Sequence, residues 1–191
     1  PFLGVGGLRR RSGSGVAPGG ALLPGLRRLV AIRRRLLATY LSLTVAGALA
    51  YLVAGLAPLE ATTRAMATIS TGGFTDRPAL AAFDEPALQW AGIVGMVLAG
   101  SGLALVWRGI GDTREEVARS RELRSYAAVL VAGTAVLAVA GPDGAILERV
   151  RVALFTTASL VSTTGFAAED WGTWSEPAQA VVASLLAVAA T

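Results

Sequence analysis

The sequence predicts an all-α membrane protein built from a repeated unit: a span, a short helix, a re-entrant polar loop and a second span. Three observations predict it. Of 191 residues, 53% are apolar and only 16% are charged, with a mean hydropathy of +0.58; soluble domains carry about 25% charged residues. Uncharged runs long enough to cross a bilayer recur along the chain. A glycine-bearing polar stretch, ATISTGGFTD at residues 67–76, returns as SLVSTTGFAA at residues 159–168 with the same order of residue types.

Residues 1–35 are rich in Gly, Pro and Arg, and no amphipathic period is sustained before about Leu26. The arginines follow the apolar start and no long apolar run leads to a small-residue cleavage site, so this is not a secretory signal. With no initiator Met, the chain reads as a piece of a longer protein. The first repeat unit covers residues 36–107. Leu36 to Ala57 is 22 residues without a charge, which at ~1.5 Å per residue spans a hydrocarbon layer of ~30 Å. Pro58 closes it. Leu59 to Ile69 is too short to cross and carries Glu60 and Arg64 near its start, the pattern of a re-entrant helix. Ala87 to Trp107 is the second uncharged run, with Pro86 suited to a first helical turn.

Residues 108–122 form a charged connection, with Thr113-Arg114-Glu115-Glu116 leading toward a helix. Residues 123–191 repeat the unit in truncated form. Leu123 to Ala140 is the span, Gly141-Pro142-Asp143-Gly144 a turn, Ala145 to Val161 the short helix, and Ala178 to Thr191 the start of the closing span. Glu85-Pro86-Ala87 opens the second span of one unit and Glu176-Pro177-Ala178 that of the other. An internal repeat of this kind fixes architecture before any motif does.

Charge gives the orientation. Residues 1–35 and 108–124 hold thirteen of the seventeen Arg; residues 58–86 and 141–177 hold four Arg and nine acids. The arginine-rich side is expected to be cytoplasmic, so both polar loops descend from the outer face.

The sequence has no Cys and no His, which excludes disulfides, zinc fingers and imidazole or thiol catalysis. Every carboxylate lies at a span end or in a loop, which argues against an integral-membrane enzyme. The pI near 10.6 accompanies a net charge of only +4 and few aromatics among the arginines, the pattern of a basic membrane flank rather than a nucleic-acid surface. Gly4, Gly6 and Gly7 follow no strand and do not complete a dinucleotide loop.

Non-helical backbone at membrane depth survives only inside protein or beside a water-filled cavity. A pore supplies the reason: carbonyls turned inward can replace the hydration shell of an ion, and glycine admits the dihedrals that aim them. STGGF and STTGF resemble the filter loops of the Trk/Ktr/HKT superfamily of potassium transporters, relatives of potassium channels whose filter reads TVGYG. Thr71-Gly72-Gly73-Phe74 and Thr163-Thr164-Gly165-Phe166 match its Thr-Val-Gly-Tyr part, with Thr75 and Ala167 where the channel has its second Gly. PFLGVGGLRR resembles the cytoplasmic end of the first repeat in bacterial Trk members, and LQWAGIVGMVLAGSGLAL the second-repeat helix that returns inward.

The resemblance implies a potassium-channel-like fold, with this chain as the second and most of the third of four repeats around one pore. The first and fourth repeats, and a gating glycine-rich stretch after Thr191, lie outside it. It implies K⁺ uptake across the cell membrane by a multi-pass protein. The ion is bound by carbonyls of Thr71, Gly72, Gly73, Thr163, Thr164 and Gly165, and Ser70, Phe74, Ser162 and Phe166 support the loops. K⁺ is the transported ion and no cofactor is expected; a homodimer and a cytoplasmic nucleotide-binding regulatory subunit are implied partners, nucleic acid is not. Sodium-selective or sodium-coupled transport and a non-conducting structural membrane domain are the alternatives.

Four further expectations concern packing and charge. Gly92, Gly95, Ala99 and Gly102 form a small-residue seam for close helix approach. A side chain at Gly73 or Gly165 would meet packed pore helices. Arg64, Arg149 and Arg151 sit at the outer interface, pairing locally or facing water. Asp76, Asp84, Glu85, Glu169 and Asp170 ring an outer vestibule.

The arginine split predicts topology. A tag inserted after Gly111 is cytoplasmic and a tag after Asp143 external; accessibility labelling that finds both on one side of the membrane would end the repeat reading.

Overall fold

The computed structural model describes residues 22–75, 82–101, 121–142 and 144–189, which form helices and their connections with no strand among them. The expected Gly102, the connection at 108–120, Asp76, Asp143 and the stretch before residue 22 lie outside the described residues. The chain divides into two units, Pro1–Arg34 and Arg35–Thr191. Of the first, only the helical stretch from Leu22 is described. The second holds the repeats.

Helix α1 runs Leu22–Val53. It stops short of the uncharged run's end because Gly55 takes a left-handed φ of 103°. The Leu56 amide then reaches the Tyr51 carbonyl at 3.1 Å and the Gly55 amide that of Leu52 at 3.0 Å, closing the helix in a Schellman cap. Pro58 opens α2, Pro58–Ile69, where a missing N–H costs nothing. Pro86 does the same for α3, Pro86–Gly100. The second unit contributes α4, Arg121–Ala140, α5, Ile146–Val161, a 3₁₀ turn at Trp171–Thr173 and α6, Glu176–Ala189.

Among the described residues two stretches, Leu36–Val53 and Arg121–Ala140, are long and apolar enough to cross a membrane, and only 17% of either is buried. On α1, Leu37, Leu41, Val45, Leu49 and Val53 recur once per turn and all are exposed. A core helix of a soluble protein buries such a stripe; these helices present it outward, as hydrocarbon surroundings permit.

Helix α5 is the centre, packed against α3, α4 and α6, with α2 against α3. Glycines set the approach. A Cβ on Gly47 would sit 3.4 Å from that of Ala65, and one on Gly133 would sit 2.8 Å from Thr157 Cγ2, so each unit's first span meets its short helix at a glycine. Gly92 lies under Phe155 and Phe83, at 3.0 and 3.1 Å from a would-be Cβ, and Gly95 under Thr68 at 2.7 Å. The described part of the expected seam therefore joins α3 to both short helices.

One core gathers Tyr51, Phe83, Met96, Phe155 and Phe166; a second gathers Leu137, Val152, Trp174 and Val182. Phe83, fully buried, is the hub of the first. Its ring centroid is 4.8 Å from those of Phe155 and Phe166 and 6.3 Å from that of Tyr51.

Overpacking a tight core site costs about 1–3 kcal/mol. Gly92→Ala should therefore lower the melting temperature of the purified protein while leaving ion discrimination in place. An unchanged melting curve would show that α3 does not depend on this approach.

Candidate pore loops

The short helices end alike. Ser70 caps α2 at φ −78°, ψ −3°, and Ser162 caps α5 at φ −80°, ψ −2°. The next residue turns left-handed in both: Thr71 at φ 53° and Thr163 at φ 60°. Gly72 N–H reaches the Ala67 carbonyl at 2.8 Å and Thr71 N–H that of Thr68 at 3.1 Å; Thr164 N–H reaches Ser159 at 2.9 Å and Thr163 N–H reaches Leu160 at 3.0 Å. Each loop is thus a Schellman cap continued outward, with a threonine where glycine normally stands. A β-branched residue at positive φ is an outlier, and the strain is on the order of 1–3 kcal/mol for each.

One residue separates the second left-handed position. Gly73 has φ 67° and Gly165 has φ 80°, while Gly72 and Thr164 between them are not left-handed. A trans peptide points its N–H and C=O in opposite directions. Tying the amides of Gly72, Thr164 and Gly165 back to the helix end therefore turns the carbonyls of Thr71, Thr163 and Thr164 away from it. Among the described residues none of the six carbonyls of Thr71, Gly72, Gly73, Thr163, Thr164 and Gly165 accepts a hydrogen bond. Buried backbone groups in a folded protein nearly always find partners, whereas Gly72, Thr163 and Gly165 are exposed and their carbonyls are open to solvent or a ligand; on two loops of the same course these oxygens form a matched set of acceptors.

The structure brings the loops together. A Cβ on Gly73 would overlap the Thr164 carbonyl oxygen, whereas a Cβ on Gly165 would meet nothing within 4 Å. This corrects the expectation that side chains at both positions run into pore helices: at Gly73 the obstacle is the neighbouring loop's backbone, and at Gly165 there is none. The supporting residues also differ. Phe166 is 5% exposed and packs on Phe83, whereas Phe74 is 81% exposed. Ser162 Oγ lies 2.7 Å from Thr164 Oγ1, while Ser70 Oγ makes only a 3.4 Å bond to the Ala67 carbonyl. A cavity of about 230 Å³ adjoins the second loop, lined by Ser159, Leu160, Thr163, Gly165, Leu186 and Ala189.

Of the arginines expected to pair locally or face water, Arg64 and Arg151 do pair locally, with Glu60 at 2.8 Å and Glu148 at 3.9 Å, but Arg64 is buried. Arg64 is 2% exposed. It pairs with Glu60 at 2.8 Å, as an i,i+4 partner should, donates to the Ala82 carbonyl, and lies 5.0 Å over the Phe83 ring. It does not face water, because Ala82 and Phe83 cover it. Arg151 Nε donates to Gln89 Oε1 at 2.8 Å, and Gln89 Nε2 donates to the Phe83 carbonyl at 2.8 Å. Arg149 donates to the Val139 carbonyl at 2.8 Å. Among the described residues no group of acids could hold a metal. Asp170 caps the 3₁₀ turn through the Gly172 amide at 2.9 Å, and Glu169 accepts from Trp174 Nε1 at 3.4 Å. Sequence reasoning missed Arg64, Phe83 and Ser159 as braces; the contrast between Ser159 and its counterpart Ala67 was the available signal.

Fold and loops together define a class, the all-helical membrane proteins built from span, short helix, loop and span. The relatives lie within it. The chain is similar to Trk system potassium uptake proteins of Halomonas elongata: it is 28% identical to TrkI over 179 residues (91% of this chain, 36% of that protein) and 30% identical to TrkH over 181 (91% and 37%). It is 28% identical to TrkH of Escherichia coli K12 over 182 residues, again 91% of this chain and 37% of that protein. The fold matches the crystal structure of the potassium transporter TrkH from Vibrio parahaemolyticus with a TM-score of 0.71 at 23% identity, over 83% of this chain and 36% of that one. The chain thus spans a little over a third of the length of these relatives. No family model matches. The all-helical membrane fold and the Trk resemblance read from the loops are borne out.

The loop geometry separates two substitutions. Gly165→Ala adds only backbone strain, on the order of 1–3 kcal/mol, whereas Gly73→Ala adds a collision with Thr164 as well. Thermal denaturation of the two variants should show the larger loss for Gly73→Ala. Equal losses would mean that the loops do not meet there.

Proposed function

We propose that these loops are two walls of a cation filter and that the full-length protein takes up K⁺ across the cell membrane. The observation that carries this reading is the shared backbone course of the two loops, which turns the carbonyls of Thr71, Thr163 and Thr164 away from the helix ends and leaves none of the six loop carbonyls bonded among the described residues. A K⁺ entering from the outer face sheds water and is held by carbonyls of Thr71, Gly72 and Gly73 on one side and Thr163, Thr164 and Gly165 on the other. It then moves inward down its electrochemical gradient, and no covalent bond changes. Neither the Thr71 nor the Thr163 hydroxyl makes a hydrogen bond among the described residues, which leaves both able to add an oxygen beside the strained backbone that holds them. The names of the relatives, potassium uptake proteins all, support K⁺ as the ion.

The contacts between the loops run head to tail. Gly73 of the first meets Thr164 of the second, and Phe166 of the second meets Phe83 of the first, while Gly165 and Phe74, the equivalent ends, face outward. A heterologous contact repeated around an axis closes a ring, which supports further copies of the unit on both open ends. A multi-pass place in the plasma membrane, a homodimer and a cytoplasmic nucleotide-binding regulatory subunit complete the proposal on the Trk resemblance.

Gly165→Ser is the cleaner filter probe, because its added side chain meets open space rather than the other loop. In full-length protein expressed in a transporter-deficient cell, it should weaken the preference for K⁺ over Na⁺, read as ⁸⁶Rb⁺ uptake under Na⁺ competition. Wild-type affinity and selectivity in a well-expressed variant would show that these loops are not the filter.

A further inference from the structure

The two loops share a backbone course but not a set of braces. Ser159, two residues before the end of α5, is fully buried. Its carbonyl accepts the amides of Thr164 at 2.9 Å and Gly165 at 3.3 Å, and its hydroxyl donates to the carbonyl of Phe166 at 2.7 Å. One residue therefore holds the chain on both sides of Gly165. The peptide before it is fixed by its N–H, and the peptide after Phe166 by its C=O. The Gly165–Phe166 peptide, whose carbonyl is one of the six, lies between two tethered neighbours. A second buried pair, Ser162 Oγ with Thr164 Oγ1 at 2.7 Å, adds a hydroxyl contact just upstream.

Among the described residues the first loop has no equivalent of the Ser159 hydroxyl. Ninety-two residues earlier, Ala67 stands in the place of Ser159 and Gly72 in the place of Thr164. Ala67 still accepts the Gly72 amide at 2.8 Å, because that bond needs only backbone. It has no hydroxyl to hold the Phe74 carbonyl, and Phe74 is 81% exposed where Phe166 is buried.

We propose that Ser159 is a positioning residue for ion selection: its hydroxyl, through the Phe166 carbonyl, holds the second loop's acceptors from behind, so that this loop is the stiffer and more discriminating of the two. The inference rests on reading the loops as a filter. Its physical basis is that a carbonyl ring favours the larger ion only if it resists closing onto the smaller one. Whether through fixed size or through the number and strength of its dipoles, a filter depends on how far its carbonyls can move. A peptide held at both ends has less freedom to rotate than one held at one.

The test uses full-length protein in a transporter-deficient cell and the purified protein. Ser159→Ala removes the hydroxyl and fills no new space. Losing one hydrogen bond's worth of bias should raise Na⁺ competition against ⁸⁶Rb⁺ uptake, and the half-saturating K⁺ concentration, by roughly threefold to tenfold. The maximal rate should stay near wild type. A purely structural role would lower expression and maximal rate together and leave the ratio of ions unchanged, and that result overturns the proposal. If Ser159→Ala does not fold, Ser159→Cys, of similar shape but a weak donor, is read in the same way. Thr62→Ala, an exposed hydroxyl on α2 bonded to its own helix at 2.7 Å, should leave both readouts unmoved. Gly165→Ser in the same assay separates the two readings. If it alters selectivity and folded Ser159 variants do not, the filter stands and the brace falls. If neither does, both fall.

Discussion

Phe83 is the contact on which the rest of the arrangement depends. It belongs to the segment after the first loop, yet its ring packs against Phe155 on the second short helix and Phe166 at the end of the second loop. The backbone around it is held by buried polar groups from both units: Arg64 on the Ala82 carbonyl, Gln89 on its own, and Arg151 on Gln89. Glu60 neutralises Arg64 one turn away. A buried pair of this sort is weak evidence for stability, since removing its charges from water offsets the attraction. Its effect here is geometric. It places an aromatic ring where the second loop needs a wall.

Given that wall, the loops follow from hydrogen-bond accounting. Each short helix ends with unsatisfied carbonyls, and the following amides turn back to fill them. Once those amides face the helix, their peptide carbonyls must face away. The left-handed turn that starts this course falls on Thr71 and Thr163 rather than on glycine. Backbone strain persists where surrounding structure over-determines it and clusters at functional sites. Its recurrence at matched threonines in both units points to a use for a hydroxyl at that position.

The two units are alike in backbone and unlike in support. Glycines set the first-span contacts in both, at Gly47 and Gly133. The loops diverge in hydroxyls, since Ser159 and Thr164 have Ala67 and Gly72 as counterparts. On the proposed reading, a pore assembled from non-identical repeats need not share its work evenly, and the divergence lies in side chains behind the carbonyls rather than in the carbonyls themselves.

Much of this was legible in the sequence. The spans, both short helices and the two loops follow from charge-free length, Pro and Gly punctuation and the STGGF/STTGF recurrence, because these are local signals in one chain. Helix ends were less so: the uncharged run to Ala57 hid the Schellman cap at Gly55, which depends on backbone dihedrals rather than hydropathy. The burial of Arg64, the meeting of Gly73 with Thr164 and the open side of Gly165 could not be read at all. A charge near a helix start looks the same in sequence whether water or other side chains cover it. Two glycines at matched positions look equivalent until the neighbour of each is known. The sequence by itself determined the repeated unit and the residue types in each loop. Only the tertiary structure decided which loop edge meets the other and which side chains brace it, because those contacts join residues from separate units, and spacing within a unit carries no information about them.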